Sequence, residues 1–164
     1  MPSVPFDSLP ANARVWVFAS DRPLRGKDSE QLLVEVDRFL AQWNAHGHPL
    51  RCARDWRDDR FLVIGVDPTA EQASGCSIDG LFRGLQILER VLKTRLVAGG
   101  RVFYRDDSGA TQLVARPEIA ALAAQGALTS ATPVFDLSLT AASDYRARFE
   151  RPAGETWVAA LLPD

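Results

Sequence analysis

The sequence predicts an α+β fold with an antiparallel sheet. Two long segments carry apolar residues at the three- and four-residue spacing of amphipathic helices. Short runs rich in β-branched and aromatic residues alternate with them and have the composition of strands. Over residues 1–105 the order of these segments is strand, helix, strand, strand, helix, strand, and this order indicates the class.

Composition and spacing predict the first strand and the first helix. Residues 14–19 (RVWVFA) form the strand, and a turn-forming stretch ends it. Asp28 or Ser29 is expected to cap the helix, and Gly47 to end it in a left-handed conformation. The apolar positions of this helix are Leu32, Leu33, Val36, Phe39, Leu40 and Trp43.

A hairpin follows, and the C-terminal part is less regular. Residues 50–57 and 61–66 are predicted strands, joined at Asp58-Asp59 in a tight hairpin. The later elements are predicted strands at 101–105, 111–115 and 134–139, helices at 117–125 and 141–150, and a last strand or apolar tail at 155–162.

The second helix begins in the motif GCSIDG, residues 75–80. Its apolar face is formed by Ile78, Leu81, Phe82, Leu85, Leu88 and Leu92. Gly80 and Gly84 are four residues apart, so one flank of the helix is bare and can lie close to a neighbour. Each glycine costs up to about 1 kcal/mol in helix propensity, which favours a packing or binding reason for it.

This order of elements is that of a ferredoxin-like split βαβ core. Right-handed crossovers place both helices on one face of a four-stranded antiparallel sheet that includes residues 101–105. We therefore expect a single α+β domain, residues 1–164, with the core extended by a C-terminal hairpin and helices. The first and third strands are apolar on both faces, so the last 60 residues or a homodimer partner should cover the second face.

Composition excludes several classes of protein. The net charge is −2 and Lys and Arg do not cluster, which argues against nonspecific nucleic-acid binding and membrane-surface binding. No apolar run has the length of a transmembrane helix, and no signal peptide is visible. The two cysteines do not make a disulfide framework, so we expect a cytoplasmic protein with reduced thiols.

The motif at 75–80 is the best candidate for a site. A helix start gathers unpaired N–H groups and partial positive charge, which can hold an anion or lower a cysteine's pKa. The predicted topology brings the end of the first helix, with His46 and His48, to the same edge as Asp67 and Cys76.

The first hypothesis for this site is a thiol nucleophile. Cys76 would be activated by the helix start, with His46 or His48 as base and Asp79 or Asp67 orienting it. The structural alternative makes Cys76 a small buried residue, Ser77 a cap and Asp79 a favourable first-turn charge.

A second hypothesis is a cradle for a small anion, formed by the backbone N–H groups of Ser74-Gly75-Cys76-Ser77. Its ligand-binding residues would be Gly75 and Ser77, with His48 and Asp67 nearby. The chain lacks the Gly-x4-Gly-Lys-Ser/Thr signature of nucleotide triphosphatases, so it is not a P-loop ATPase, and we expect no cofactor.

Two other interpretations have less support. A zinc site would need His46, His48, Cys52 and Cys76, whose types are suitable but whose spacing is not a recognised one. The aromatic residues that could stack RNA bases, and the tryptophans, are more simply core residues: Trp16, Phe18, Phe61, Trp43, Trp56 and Trp157.

Several segments together resemble a family of small uncharacterised bacterial proteins, some of whose members are labelled ABC transporter ATPase although they lack a phosphate loop. The resemblance rests on residues 12–16, Trp43 with 46–47, 60–66, 75–79 and 155–157. It implies a bacterial, cytoplasmic setting, and it assigns no activity to the chain.

The function that these observations favour is non-catalytic binding of a small, anionic ligand or of a protein partner near the Cys76 helix start. The alternative is a cysteine-dependent enzyme that uses Cys76 with His46 or His48. We expect no metal at this site.

Overall fold

The computed structural model describes residues 3–97 and 99–163 and has an α+β fold with antiparallel sheets. The strands are β1 Arg14–Ala19, β2 Asn44–Ala45, β3 His48–Pro49, β4 Cys52–Arg57, β5 Phe61–Val66, β6 Arg101–Arg105, β7 Thr111–Ala115, β8 Pro133–Phe135 and β9 Glu150–Pro152. The α-helices are α1 Lys27–Gln42, α2 Gly75–Leu92, α3 Ile119–Ala124 and α4 Ala142–Arg148. None of the described helices has the length and apolar character that crossing a bilayer would require.

Contacts between residues divide the chain into two compact units. The first contains the described residues up to 97 together with 138–147, and the second contains the described residues of 99–137 and 148–163. The expectation of a single domain over 1–164 stays a prediction.

The first unit has a three-stranded antiparallel sheet in the order β1–β5–β4. Asp58 and Asp59 both have positive φ in the turn between β4 and β5, and Arg57 pairs with Phe61. The turn therefore holds three residues, 58–60, and Cys52 lies opposite Val66.

The expected fourth strand does not join this sheet. Residues 101–105 are a strand with the predicted bounds, but β6 pairs with β7 and β8 in a separate four-stranded sheet. The prediction of its position is wrong, and the ferredoxin-like core is not confirmed. The order of segments could not decide this, because a strand after a Gly-Gly break can pair with an earlier strand or with the hairpin that follows it.

Both faces of the three-stranded sheet are covered within the first unit. On one face Phe18, Leu62 and Ile64 pack with the apolar sides of α1 and α2. On the other, a Cβ on Gly65 would lie 2.5 Å from Leu9 Cδ1 and 3.2 Å from Phe6 Cε2.

Helix α4 also covers the face of the sheet that Leu9 and Phe6 contact. Tyr145 donates a 2.6 Å hydrogen bond to Asp55 on β4, and its ring meets the edge of Phe6. Burial and this bond raise the pKa of the Tyr145 hydroxyl. The covering residues thus come from the N-terminal segment as well as from the last 60 residues, so this face does not need the homodimer partner that the sequence left open.

The second unit has a sheet in the order β7–β6–β8–β9. Arg105 on β6 binds the Glu150 carboxylate through Nε and Nη2, at 3.1 and 2.7 Å. The segment predicted as a last strand or apolar tail forms 3-10 turns instead, at Ala153–Glu155 and Trp157–Leu161. Trp157 is 43% exposed under the Arg116 guanidinium, so its assignment to the core is wrong.

The ends of α1 differ from those predicted. Gly26 is the N-cap, before both Asp28 and Ser29, and the helix ends at Gln42. Gly47 does not end the helix. His46 and Gly47, with φ of 54° and 78°, form the two-residue turn between β2 and β3, where positive φ at both positions is the favoured geometry.

Candidate functional site

Two serines cap the start of α2. Ser74 is the N-cap, and its Oγ accepts a hydrogen bond from the Ser77 N–H at 3.1 Å. Ser77 Oγ in turn accepts from the Ser74 N–H at 2.7 Å. This reciprocal pair is a capping box with serine in place of the usual Glu or Gln at the third position. Ser77 therefore helps to cap the helix, as the sequence suggested, although the N-cap itself is Ser74.

Trp43 connects this helix start to the end of α1. Its side chain is buried, and its indole Nε1–H donates to the Ser77 carbonyl at 2.8 Å. The indole also meets the edge of Trp16 and lies against Phe39. Trp43 thus fixes the residues that follow it in the chain, including His46, relative to the first turn of α2.

A cleft of about 390 Å³ opens where these two segments meet. It is lined by Phe39, Gln42, Trp43, Asn44, His46, Ser74, Cys76, Ser77 and Gly80. His46 and Cys76 are both exposed. The structure therefore brings one of the two histidines and the motif cysteine to one cleft, from segments separated by 29 residues of intervening chain.

Cys76 is not a buried structural residue. It is the second residue of α2 and its thiol is exposed. The burial that the structural alternative gave Cys76 is therefore wrong, whereas its placement of Ser77 in the cap is right. Asp79, the fifth residue of α2, lies beyond the first turn. Among the described residues, no hydrogen bond joins Cys76 to His46 or to Asp79.

Three other predicted site residues lie outside the lining of the cleft. His48 is on β3, across the turn from His46, and Asp79 is exposed on α2. Gly75 is the first residue of α2, next to Cys76, but its own atoms are not part of the cleft wall.

Asp67 has local partners instead of a place in the cleft. Its Oδ1 accepts from the N–H and the hydroxyl of Thr69, at 2.9 and 2.6 Å, and Arg51 lies 3.5 Å from Oδ2. These bonds, chiefly those from Thr69, lower the pKa of the carboxyl. Neither carboxylate that was expected to orient a histidine is in position to do so.

The two cysteines have opposite environments. Cys52 is fully buried, its Sγ lies 3.5 Å from the Leu40 carbonyl, and burial raises its pKa to about 12. Within the described ranges no three His, Cys, Asp or Glu side chains are grouped as metal ligands. Cys52 and Cys76 could not both bind one zinc ion with this arrangement.

The aromatic residues that the RNA interpretation would need are packed inside the first unit. Phe18 and Phe61 are buried on opposite faces of the sheet, and Trp16 is half-buried against Trp43. None presents the exposed face that base stacking requires.

Sequence reasoning missed the walls of the cleft. Phe39, Gln42 and Asn44 line it, and Trp43 had been assigned only to the core. The missed signal is the residue pair His46-Gly47, four residues after the end of α1, which is typical of a tight hairpin turn and would have kept His46 near the helix end.

Comparison of the chain with protein-family models, with curated proteins and with solved structures finds no match. The resemblance to small bacterial proteins therefore stays a prediction, and the geometry of the cleft carries the functional argument.

Proposed function

We propose that this chain is a non-catalytic binding domain whose ligand is a small anion-bearing molecule held in the cleft at the start of α2. The observation that carries the proposal is the cleft itself, which His46 and Cys76 enter from separate segments. Its volume of about 390 Å³ lies within the range of small-molecule sites.

The donors around the cleft favour a negative group. The first N–H groups of a helix have no carbonyl partner within it, and the helix dipole adds partial positive charge. The Ser77 N–H is bound by Ser74, while that of Cys76, which lines the cleft, has no acceptor among the described residues. The N–H of Gly75, the residue before it outside the cleft lining, also has no acceptor among them. The His46 imidazole, from a different segment of the chain, is a further hydrogen-bonding group in the cleft lining.

A phosphate titration tests this proposal. With inorganic phosphate as the probe, we expect the amide signals of Gly75 and Cys76 to shift in NMR spectra of the labelled protein. His46→Asn should weaken phosphate binding several-fold, because it removes the imidazole while keeping a residue that tolerates positive φ in this turn. The chain offers a matched control, His48→Asn, which changes the other histidine of the same hairpin outside the cleft. Equal effects of the two substitutions, or no shift at Gly75 and Cys76, would contradict the proposal.

A second candidate function is a cysteine-dependent enzyme. It is favoured by the exposure of the Cys76 thiol in a cleft that also contains an imidazole. In such an enzyme the Cys76 sulfur would add to an electrophilic carbon of the substrate while His46 accepts the thiol proton. The absence of Asp67 and Asp79 from the cleft lining is the reason that we rank this function second.

Thiol alkylation separates the two functions. We expect iodoacetamide to modify Cys76 alone in the folded protein, because Cys52 is buried and its pKa is raised to about 12. The binding proposal predicts a Cys76 rate no greater than that of a small model thiol at neutral pH. A rate at least about tenfold greater, lost in His46→Asn, would support the enzyme instead. Intact mass spectrometry counts the modified thiols, and unfolded protein should take up two labels.

The setting of this function is also a proposal. We infer a bacterial cytoplasmic protein from the family resemblance and the two reduced thiols. The order of elements and the position of α1 and α2 on one face of the three-stranded sheet support a relation of this unit to the split βαβ arrangement without its fourth strand.

A further inference from the structure

The side of α2 that borders the groove to α1 carries an exposed apolar stripe. Ile87 and Val91 are 54% and 51% exposed. Gly80 and Gly84 precede them on the same helix, and spacings of four, three and four residues put all four on one face. We call Gly80, Gly84, Ile87 and Val91 the α2 stripe.

The first half of the stripe is a depression and the second half projects. A Cβ on Gly84 would meet only Phe39 Cδ2, at 3.9 Å, and one on Gly80 would meet only the end of the flexible Arg83 side chain, at 4.0 Å. A groove of about 310 Å³ runs between α1 and α2 and includes both Gly84 and Ile87 in its lining.

We propose that the α2 stripe is a homodimer interface in which the α2 helices of two copies pack antiparallel. An antiparallel pairing that sets Gly84 against the partner's Ile87 also sets Gly80 against the partner's Val91, since both pairs are centred on one point between residues 85 and 86. A single two-fold axis thus places Ile87 and Val91 of each copy over the two glycines of the other copy. This is the self-complementarity that an isologous contact requires.

Charge along the same helix matches this arrangement. Asp79 and Arg90 are exposed on one flank of the stripe, and neither forms an ion pair within the described residues. The two-fold axis brings the same flank of both copies together. Asp79 then lies within about 3 Å, along the helix axis, of the partner's Arg90. Arg83 lies on this flank too and must move from Gly80 as the partner's Val91 enters.

The interface differs from the dimer that the sequence suggested as a cover for the sheet, because the N-terminal segment and α4 occupy that sheet face. It also goes beyond the proposed binding function. Since Gly80 lines the cleft at the start of α2, the partner's Val91 would approach the mouth of that cleft.

Sedimentation equilibrium at micromolar concentrations tests the proposal. We expect a mass twice that of the 18.0 kDa chain. Ile87→Lys should raise the dimer dissociation constant at least about tenfold, because a charge replaces an apolar side chain that the interface would bury. Gln86→Lys is the matched control: it adds the same charge to the neighbouring residue, which is exposed outside the stripe, and should leave the dimer unchanged.

A charge exchange tests the antiparallel arrangement itself. Asp79→Arg alone should weaken the dimer, and the double change Asp79→Arg with Arg90→Asp should restore it. Circular dichroism verifies that each variant is folded. A chain that stays monomeric, an Ile87→Lys variant that dimerises like the parent, or a double variant that fails to regain affinity would each overturn the proposal.

Discussion

Replacing Trp43 with alanine is expected to lower the free energy of unfolding by about 3–5 kcal/mol, the usual cost of removing a large buried aromatic side chain. The indole is buried between α1 and α2 and donates to the Ser77 carbonyl at 2.8 Å. Because the same side chain forms a wall of the cleft, we also expect loss of phosphate binding. Chemical denaturation measures the first effect and the phosphate titration the second.

Two further variants show which part of the indole matters. Trp43→Phe keeps a ring but removes the N–H, so the Ser77 carbonyl loses its donor and about 1–2 kcal/mol should be lost. Trp157→Ala removes a tryptophan that is 43% exposed and should cost about 1 kcal/mol or less, mainly the contact with Arg116. A similar loss of stability in Trp43→Ala and Trp157→Ala would contradict the burial on which this prediction depends.

Gly65→Ala is expected to destabilise the protein by about 1–3 kcal/mol, although alanine is usually tolerated in a strand. The new Cβ would lie 2.5 Å from Leu9 Cδ1, and Leu9 is itself buried, so it cannot simply swing into solvent. Phe6 and Leu9 would have to move from the sheet. Thermal or urea unfolding monitored by circular dichroism measures the change.

The control for this prediction is Gly99→Ala. No atom lies within 4 Å of the Cβ that this substitution adds, and the residue does not have positive φ, so its stability should change little or rise slightly. If Gly65→Ala were as stable as Gly99→Ala, the N-terminal segment would not cover the sheet in the way described here.

The longer local elements could be predicted from the sequence, some of them to the residue, whereas the two- and three-residue strands β2, β3 and β9 could not. β1, β5, β6 and β7 have the predicted bounds, because β-branched and aromatic runs between turn residues are strong local signals. The helix ends were less accurate. The sequence predicted Asp28 or Ser29 as the cap. The N-cap is instead Gly26, which has positive φ and makes no side-chain capping hydrogen bond.

The pairing of strands was only partly predictable. The antiparallel order of β1, β5 and β4 follows from the hairpin and the crossover. The sequence did not determine which strand pairs with β6. β7 is near in sequence and pairs with β6 across a short loop, whereas pairing with β1 would be a long-range contact. The local sequence of β6 suits either partner. Only the packing of the whole chain decides between them.

For the candidate site, the sequence by itself determined that Cys76 begins a helix and that His46 follows one. It could not determine which histidine lines the same cleft as the cysteine. That depends on a two-residue turn, which turns His46 toward the cleft and leaves His48 on β3, and on Trp43, which joins the end of α1 to Ser77. These are contacts between segments distant in sequence, so their geometry is set by packing and not by local propensity. The same reason explains why Cys76 is exposed and Cys52 is buried: the residue type favours burial in both cases, and only the tertiary structure decided which thiol remained at the surface.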